Sequence, residues 1–473
     1  MLTRSPVVDG GLAEQRTVPT SERWFTAALG LVTLAALTIR VVYVLTLRDH
    51  LSFAGDSALY HETAQLLAQG RGFIYPQTVG GIRVLTHKGQ VVQQADHPPL
   101  YIVFLAVPAL FGMTSVLTQL LWSCALGAGT VLVVGFLGRD VVSARVGVVA
   151  AVLAAVYPNM WIPDGSLQAE TAAIFTTALT LLLAYRYLKR PGLWRLVAVG
   201  AAAGAAALAR SELLLLVPFV VLPLALLTRG EPARRQLLWF GAAALATLLV
   251  IGPWVGYNLA RFRHPVFLSD QYQALLASAN CDAAYYGSMI GYFSIPCAAQ
   301  AAAKYHPAGD QSQVALAYQK GAIHYVEGHL GRVPVVVAAR LGRTLEVFRP
   351  SQGLALRELL DNVERPVATA ALYAYYLLAL LSVAGAILLR RRRLTVYPLI
   401  APIVIVLLTV AVTYSNTRFR APAEVSLVLL AAVSVDAIGV ALTQRRNRDP
   451  CTRSEPTSRG TAPAAYGTAH PNH

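Results

Sequence analysis

Charge is what this chain has least of. Only 13% of its 473 residues are Asp, Glu, Lys or Arg, about half the share of a soluble globular chain, whereas 56% are hydrophobic. A chain with so few charges cannot present a water-facing surface along its whole length, so lipid must be its main solvent. Acidic residues are the scarcer kind, 24 against 39 basic ones, for a net charge of +15. No helix-turn-helix, zinc-finger or aromatic-basic strand pattern accompanies that excess, so nucleic acid is excluded as a partner. The excess is read instead as Lys and Arg collected in cytoplasmic loops. Also missing are a P-loop and a dinucleotide-type glycine fingerprint, which argues against nucleotide chemistry. There is no cleavable signal-peptide pattern and no clear internal repeat. The first apolar run starts near Trp24 and is long enough to remain as a span.

What the chain has in abundance is apolar runs of about twenty residues, the length that crosses a bilayer as a helix. They predict an all-α integral membrane protein with about ten transmembrane helices. These fall near 24–47, 115–137, 146–163, 168–188, 195–209, 211–229, 237–256, 367–389, 395–414 and 421–443. The run 99–113 is short and interrupted by Pro108, so it is expected to be re-entrant or interfacial. Alternate connections hold Arg139 and Arg145, then Arg186, Lys189, Arg190 and Arg195, then Arg229, Arg234 and Arg235, then Arg390 to Arg393, and finally Arg445, Arg446 and Arg448. Ten spans put all of these on one face together with both termini, and that face is read as cytoplasmic.

The expected organisation is therefore a cytoplasmic N-terminus (1–23), a polytopic membrane domain (24–446) and a cytoplasmic tail (447–473), with both ends disordered. Two long loops, 48–97 and 257–366, fall on the outer face, the second lying between spans seven and eight. Each contains an amphipathic surface helix. Ser57 to Gln69 puts Leu59, Thr63, Leu66 and Leu67 on one face, Gly70 is its stop and Asp56 stands at its N-cap position. Arg332 to Phe348 mixes Val, Leu and Phe with Arg340 and Arg343 as an interfacial helix does. Cys281 and Cys297 share the larger loop, where a disulfide would stabilise it by roughly 3 kcal/mol; the alternative is two unpaired thiols.

Ionisable groups at a membrane boundary are expensive to desolvate, and several converge on the outer surface by topology alone. Asp56, His61 and Glu62 come from the first surface helix, and Asp96 and His97 from the end of its loop. Asp164 and Glu170 flank the third-to-fourth connection, and Arg210 and Glu212 lie in the fifth-to-sixth one. Arg261 and Arg263 follow the seventh span, and Arg418 and Arg420 sit between the ninth and tenth. Each has a plainer reading. Asp56 can simply cap its helix, Glu170 can complement a helix dipole, His97 can be an interfacial residue, and the arginines can meet lipid headgroups. A divalent metal ion on Asp96 and His97 is the only cofactor the residues suggest, and two adjacent ligands make an incomplete site.

Arginines at the outer interface suit a phosphate, which they grip bidentately, and a nearby carboxylate suits deprotonation of a hydroxyl. Together these fit group transfer from a membrane-held phosphate donor to an acceptor alcohol, with arginines stabilising the leaving phosphate. Several segments then show a resemblance: Asp56-Ser57-Ala58-Leu59-Tyr60 ahead of Ala68-Gln69-Gly70, His97-Pro98-Pro99-Leu100-Tyr101 and Leu167-Gln168-Ala169-Glu170-Thr171. Leu208-Ala209-Arg210-Ser211-Glu212, Gly252-Pro253-Trp254 with Asn258, and Arg418-Phe419-Arg420-Ala421-Pro422 continue it. In order and placement they resemble the C-type glycosyltransferase superfamily, in its bacterial branch related to protein O-mannosyltransferases and lipid A aminoarabinose transferases.

The resemblance implies a glycosyltransferase, hexosyl or pentosyl, that uses a polyprenyl-phosphate-linked sugar and inverts the anomeric carbon. The acceptor would be an extracytoplasmic glycan, lipid or protein of the cell envelope, and the enzyme a multi-pass protein of the plasma membrane. By carry-over, Asp56 is the catalytic base or acceptor-positioning carboxylate and Glu170 assists it. Arg418, Arg420, Arg210 and His97 are the donor-phosphate ligands, with Asp96 and His97 the candidate metal pair. His97 stands where some relatives have Lys, so its charge depends on pH. Region 257–366 resembles the family only at its edges, through Arg261, Arg263 and the segment from Arg340 to Pro350. The rival class is a membrane transporter or lipid flippase, which usually sets polar groups in broken helices at the bilayer midplane; here the span interiors are nearly uncharged. A noncatalytic membrane subunit keeping the same fold is a third reading.

Overall fold

The computed structural model describes residues 20–47, 55–76, 78–79, 82–83, 92–228, 230–305 and 309–448, so the tails expected to be disordered lie almost wholly outside the described residues. Each of the ten apolar runs is helical along most of its length. Six helical stretches are long and apolar enough to cross a membrane: Glu22–Thr46, Val116–Val141, Glu170–Lys189, Ala233–Arg261, Arg365–Arg391 and Thr417–Arg445. The other four runs hold the shorter apolar pieces Ala144–Val156, Leu193–Ala209, Ser211–Leu226 and Tyr397–Val412. Between the first two spans, Leu100–Leu110 forms the short helix expected of the interfacial segment. At 1.5 Å per residue it is about 16 Å long, half of what a crossing needs.

Proline explains where the runs depart from regular helix. In 146–163 the α-helix stops at Val156, and Pro158 and Pro163 stand in two successive 3-10 turns, Pro158–Met160 and Ile162–Gly165. In 211–229 the backbone passes from a 3-10 turn (Ser211–Leu215) through a π turn (Val217–Val221) to a short α-helix (Leu222–Leu226). Pro218 and Pro223 lack the N–H groups that a continuous ladder needs, which breaks this run into three geometries.

Small residues let the spans approach closely. Any side chain at Gly200 would overlap the backbone of Ala243, and one at Gly385 that of Leu430. Thr247 adds a hydroxyl donated to the Gly200 carbonyl at 2.7 Å. One end of the bundle gathers the basic connections. There Asp140 accepts from Lys189 Nζ at 2.9 Å and Arg186 Nε at 3.1 Å, and Arg145 meets Asp436 at 3.1 Å.

The opposite end carries the two long loops. Helix Asp56–Ala68 opens the first, and Gly70, at φ 75°, ends it where expected. Asp56 is the first helical residue rather than the cap, and its side chain makes no capping bond; Gly55 occupies the cap position. The loop is not wholly helical, since Thr78–Val79 pairs antiparallel with Ile82–Arg83. Arg261 fastens this loop to the end of its span, donating to the Phe73 carbonyl at 2.9 Å and to Gln93 at 2.8 Å.

The second long loop folds into helices Gln271–Ala279, Asp282–Tyr285, Ile295–Tyr305, Gln311–Gly328, Val333–Thr344 and Pro350–Leu360. A Cys281–Cys297 disulfide crosses it. Arg340 and Arg343, expected to face the membrane surface, are buried instead. Arg340 donates to the carbonyls of Ala279 (2.8 Å) and Ala411 (3.0 Å), and Arg343 to that of Ile290 (2.6 Å). Arg340 thereby ties this loop to the span beneath it, and Arg343 ties two parts of the loop together.

Candidate active site

Arg418 is the hub of the outer end. It lies in a 3-10 turn, Thr417–Arg420, whose entry is fixed by the Asn416 side chain accepting from the Arg418 N–H at 3.0 Å. From there its guanidinium reaches residues from three distant parts of the chain. Nε donates to Glu170 at 2.8 Å and Nη1 to Asp56 at 3.1 Å, while Asp361 stands 3.9 Å from Nη1. Nη2 donates to the Gln168 side chain. Glu170, 1% exposed at the first turn of its span, also accepts from Arg210 Nη1 at 2.7 Å. Arg210 in turn donates to Glu212 at 2.5 Å and lies over the Phe419 ring. Two arginines thus neutralise one buried carboxylate, which alone would be prohibitive to ionise at this depth.

Asp56 is the accessible acid of the group, with its side chain 31% exposed. His97 Nε2 stands 3.6 Å from its Oδ1, an ion-pair distance rather than a hydrogen bond, and stacks its ring near Tyr60. Burial pushes the Asp56 carboxyl up, but His97 and the Arg418 guanidinium outweigh it and hold the group well below the usual carboxylate range. Asp56 is therefore an anion at any physiological pH.

Arg418 also lines a partly open cavity of about 440 Å³ with Gln168, Glu170, Arg357, Asp361 and Thr417. Burial pushes Asp361 up to about 6, against the lowering effect of Arg418 and Arg357. The cavity thus has a carboxyl that titrates near neutrality beside one that does not.

Of the residues named from the sequence, Asp56, His97, Glu170, Arg210 and Arg418 form one connected cluster. Arg420 does not join it, although only two positions away. Its guanidinium is buried, 3% exposed, between Glu424 (2.6 Å) and Glu346 (2.8 Å), and lies over the Tyr375 ring. Its charge is taken up by those two acids, away from the cluster. Asp164 likewise leaves the cluster: it is buried against Arg40 at 2.8 Å and accepts from Thr171 at 2.8 Å. Arg261 and Arg263 serve the loops. Arg261 is a clamp, and the Arg263 N–H donates to Asp310 at 2.8 Å.

The proposed metal pair also divides. His97 faces Asp56, whereas Asp96 accepts from Tyr75 and lies beside Asp270. Burial and the Asp96 carboxylate push Asp270 up to about 8, and Asp96 is itself raised by burial. Asp96 and His97 thus face different neighbours and do not converge as one pair of ligands. Among the described residues no three His, Cys, Asp or Glu side chains converge as metal ligands.

Sequence reasoning missed three charged residues at this end. Asp361 and Arg357 belong to the loop region that lacked motifs, and their four-residue spacing, one helical turn, was the only available signal. Arg40 was the more legible omission, a lone arginine inside the first apolar run.

The fold is that of polytopic membrane glycosyltransferases. Residues 96–257 match the family described as dolichyl-phosphate-mannose-protein mannosyltransferase, a segment that includes His97, Glu170 and Arg210. Among solved structures, the archaeal oligosaccharyltransferase AglB of Archaeoglobus fulgidus, in complex with an inhibitory peptide and a dolichol-phosphate, superposes with a TM-score of 0.54 at 15% identity. That match covers 90% of this chain and 51% of the other, so the chain spans about half the length of AglB. The same archaeal enzyme tethered to an acceptor peptide gives a TM-score of 0.51 at 15% identity, over 90% and 51% of the two chains. ArnT from Cupriavidus metallidurans, bound to undecaprenyl phosphate, gives 0.41 at 15% identity, over 90% and 80%. No curated protein sequence matches the chain.

Proposed function

We propose that this protein is an inverting membrane glycosyltransferase that moves a sugar from a polyprenyl-phosphate donor to an extracytoplasmic acceptor, a glycan, lipid or protein of the cell envelope. The observation that carries the reading is the contact of Asp56 with Arg418, an accessible carboxylate and an arginine brought together at the end of the bundle opposite the basic connections. That end is the outer face if the basic connections are cytoplasmic, and the membrane is then the plasma membrane. The mannosyltransferase match over 96–257 and the AglB fold support the chemistry, AglB having been solved with a dolichol-phosphate.

In this reading the acceptor hydroxyl attacks the anomeric carbon from the face opposite the phosphate. The new C–O bond forms as the bond from the sugar to the phosphate oxygen breaks, and the hydroxyl proton passes to Asp56. The departing polyprenyl phosphate takes the bonding electrons, and its charge is met by Arg418, Arg210 and His97. With Arg418 and His97 beside it, Asp56 is a weak base. A donor phosphate that draws Arg418 away removes one of the two neighbours that hold the group low, and the carboxylate becomes more basic when the acceptor needs it. Glu170 keeps both arginines in place. No step is assigned to a metal ion.

The test is sugar transfer in membranes supplied with a polyprenyl-phosphate sugar. Asp56→Asn keeps the shape of the side chain and removes its charge, and it should abolish transfer in a protein that still folds and inserts. Retained transfer would overturn the assignment.

A further inference from the structure

A second cavity of about 350 Å³ adjoins the first, the two sharing Arg357 and Thr417. Three arginines line it: Arg343 from helix Val333–Thr344, Arg349 at the head of helix Pro350–Leu360, and Arg357 two turns further on. Arg418, Arg210 and Arg420 each have an acid to neutralise them. Among the described residues Arg343, Arg349 and Arg357 form no ion-pair contact, although Arg357 acts on Asp361 from across the first cavity: Arg343 and Arg349 donate to neutral oxygens, those of Ile290, Ser288, Gly287 and Gln352. Arg357 donates to Asn159 at 3.1 Å. The acid lining this cavity, Glu346, is already held by Arg420 at 2.8 Å.

Arg357 carries the sharper observation. It is 93% buried (7% exposed), and its Nη1 is a buried donor with no hydrogen-bond partner. A guanidinium N–H placed out of water without an acceptor forgoes a charge-assisted bond, a cost a fold retains when a ligand supplies the acceptor. The N-terminal end of helix Pro350–Leu360, the positive end of its dipole, lines the same space through Pro350 and Gly353.

We propose that this second cavity binds a phosphoryl group, and that the group belongs to the acceptor. The inference rests on the reading of Asp56 as the transfer carboxylate. Three guanidinium groups and a helix N-terminus exceed what one carboxylate can neutralise and suit a dianion with three oxygens. Position supplies the assignment. In the proposed reading the lipid-held donor enters beside His97, which faces Asp56 at the head of the apolar helix Leu100–Leu110. The arginine cavity lies beyond Arg418 and Asp361 as seen from Asp56, and is lined by the large outer loop and residues 415–417, with no residue of that helix. An acceptor anchored there by its phosphate would present a neighbouring hydroxyl toward Asp56.

The experiment is calorimetric titration of the full chain in lipid nanodiscs with inorganic phosphate, with acetate as comparator. Phosphate should bind saturably and acetate at least about tenfold more weakly; Arg349→Gln and Arg357→Gln should each weaken phosphate by about tenfold, the worth of one charge-assisted contact. Arg349 is exposed at the rim, so its substitution reads the site even if the buried Arg357→Gln protein fails to fold. Prior addition of a polyprenyl monophosphate should leave inorganic phosphate bound. Displacement by that lipid would make the cavity the donor's and overturn the proposal, as would phosphate binding unchanged by Arg349→Gln or equal binding of acetate. Asp56→Asn should bind phosphate normally, so failure of the transfer reading and failure of this one give different results.

Discussion

Arg418 and Asp56, 362 positions apart in the chain, meet at 3.1 Å through a single N–H of the guanidinium. The other edges of that guanidinium are taken by Glu170 and Gln168, so the contact is fixed from three sides. Its geometry, more than the charge alone, places the carboxylate.

Arg418→Lys keeps the charge and loses the fork. An ammonium cannot reach Asp56, Glu170 and Gln168 together, so both Arg418→Lys and Arg418→Gln should lower kcat on the order of a hundredfold, the usual consequence of misplacing a reacting group by an ångström. Initial rates in proteoliposomes over a range of donor concentrations would show it. Near wild-type kcat in the Lys variant would mean that charge suffices.

Arg420 should behave in the opposite way. Arg420→Gln leaves Glu346 and Glu424 buried without a cation, a loss of about 3–5 kcal/mol. The measurement is the thermal midpoint and yield in mild detergent, both of which should drop sharply, whereas Arg418→Gln should stay close to wild type. An Arg420→Gln protein of normal stability that has lost only donor binding would restore it to the active site.

Asp270 provides a pH test with a definite sign. Its carboxyl is raised to about 8 in the fold by burial and by Asp96. A raised carboxyl binds its proton more tightly folded than unfolded. The stability it contributes is complete below the unfolded value of about 4 and is lost as pH rises through about 8. Asp270→Asn cannot lose a proton. It should match wild type near pH 5 and become the more stable protein above pH 8, as read by thermal unfolding across that range. A constant difference from pH 5 to 9 would contradict the raised carboxyl.

Much of this arrangement was legible in the sequence because lipid imposes few solutions. The ten apolar runs and the one-sided arginines gave the helices and the end on which Asp56, Glu170 and Arg418 gather. Less was legible where proline broke the rule of continuous runs. The stops at Pro158 and Pro163 turn the end of one run into the lip that carries Asp164, and no periodicity announces that. Arg418 and Arg420 show a second limit. In a tight turn, two identical residues two positions apart go to different neighbours, and only packing decides which one faces the cavity. Arg357 and Asp361 mark a third, since residues of a long outer loop reach a site through tertiary folding that motifs do not encode.

The pairing of Arg40 with Asp164 has a consequence for how the molecule is built. Arg40 lies in the first apolar helix and its partner is 124 residues further on, so when that helix leaves the ribosome its arginine has no counter-charge. An unpaired arginine within a bilayer costs about 2.5–3.5 kcal/mol even on the mildest scale, which favours holding the helix near the surface until the partner arrives. Gly127 makes room for the pair, because any side chain there would overlap the Asp164 carboxylate and the Arg40 guanidinium. Docking of this helix is complete only once the turn that delivers Asp164 supplies the counter-charge.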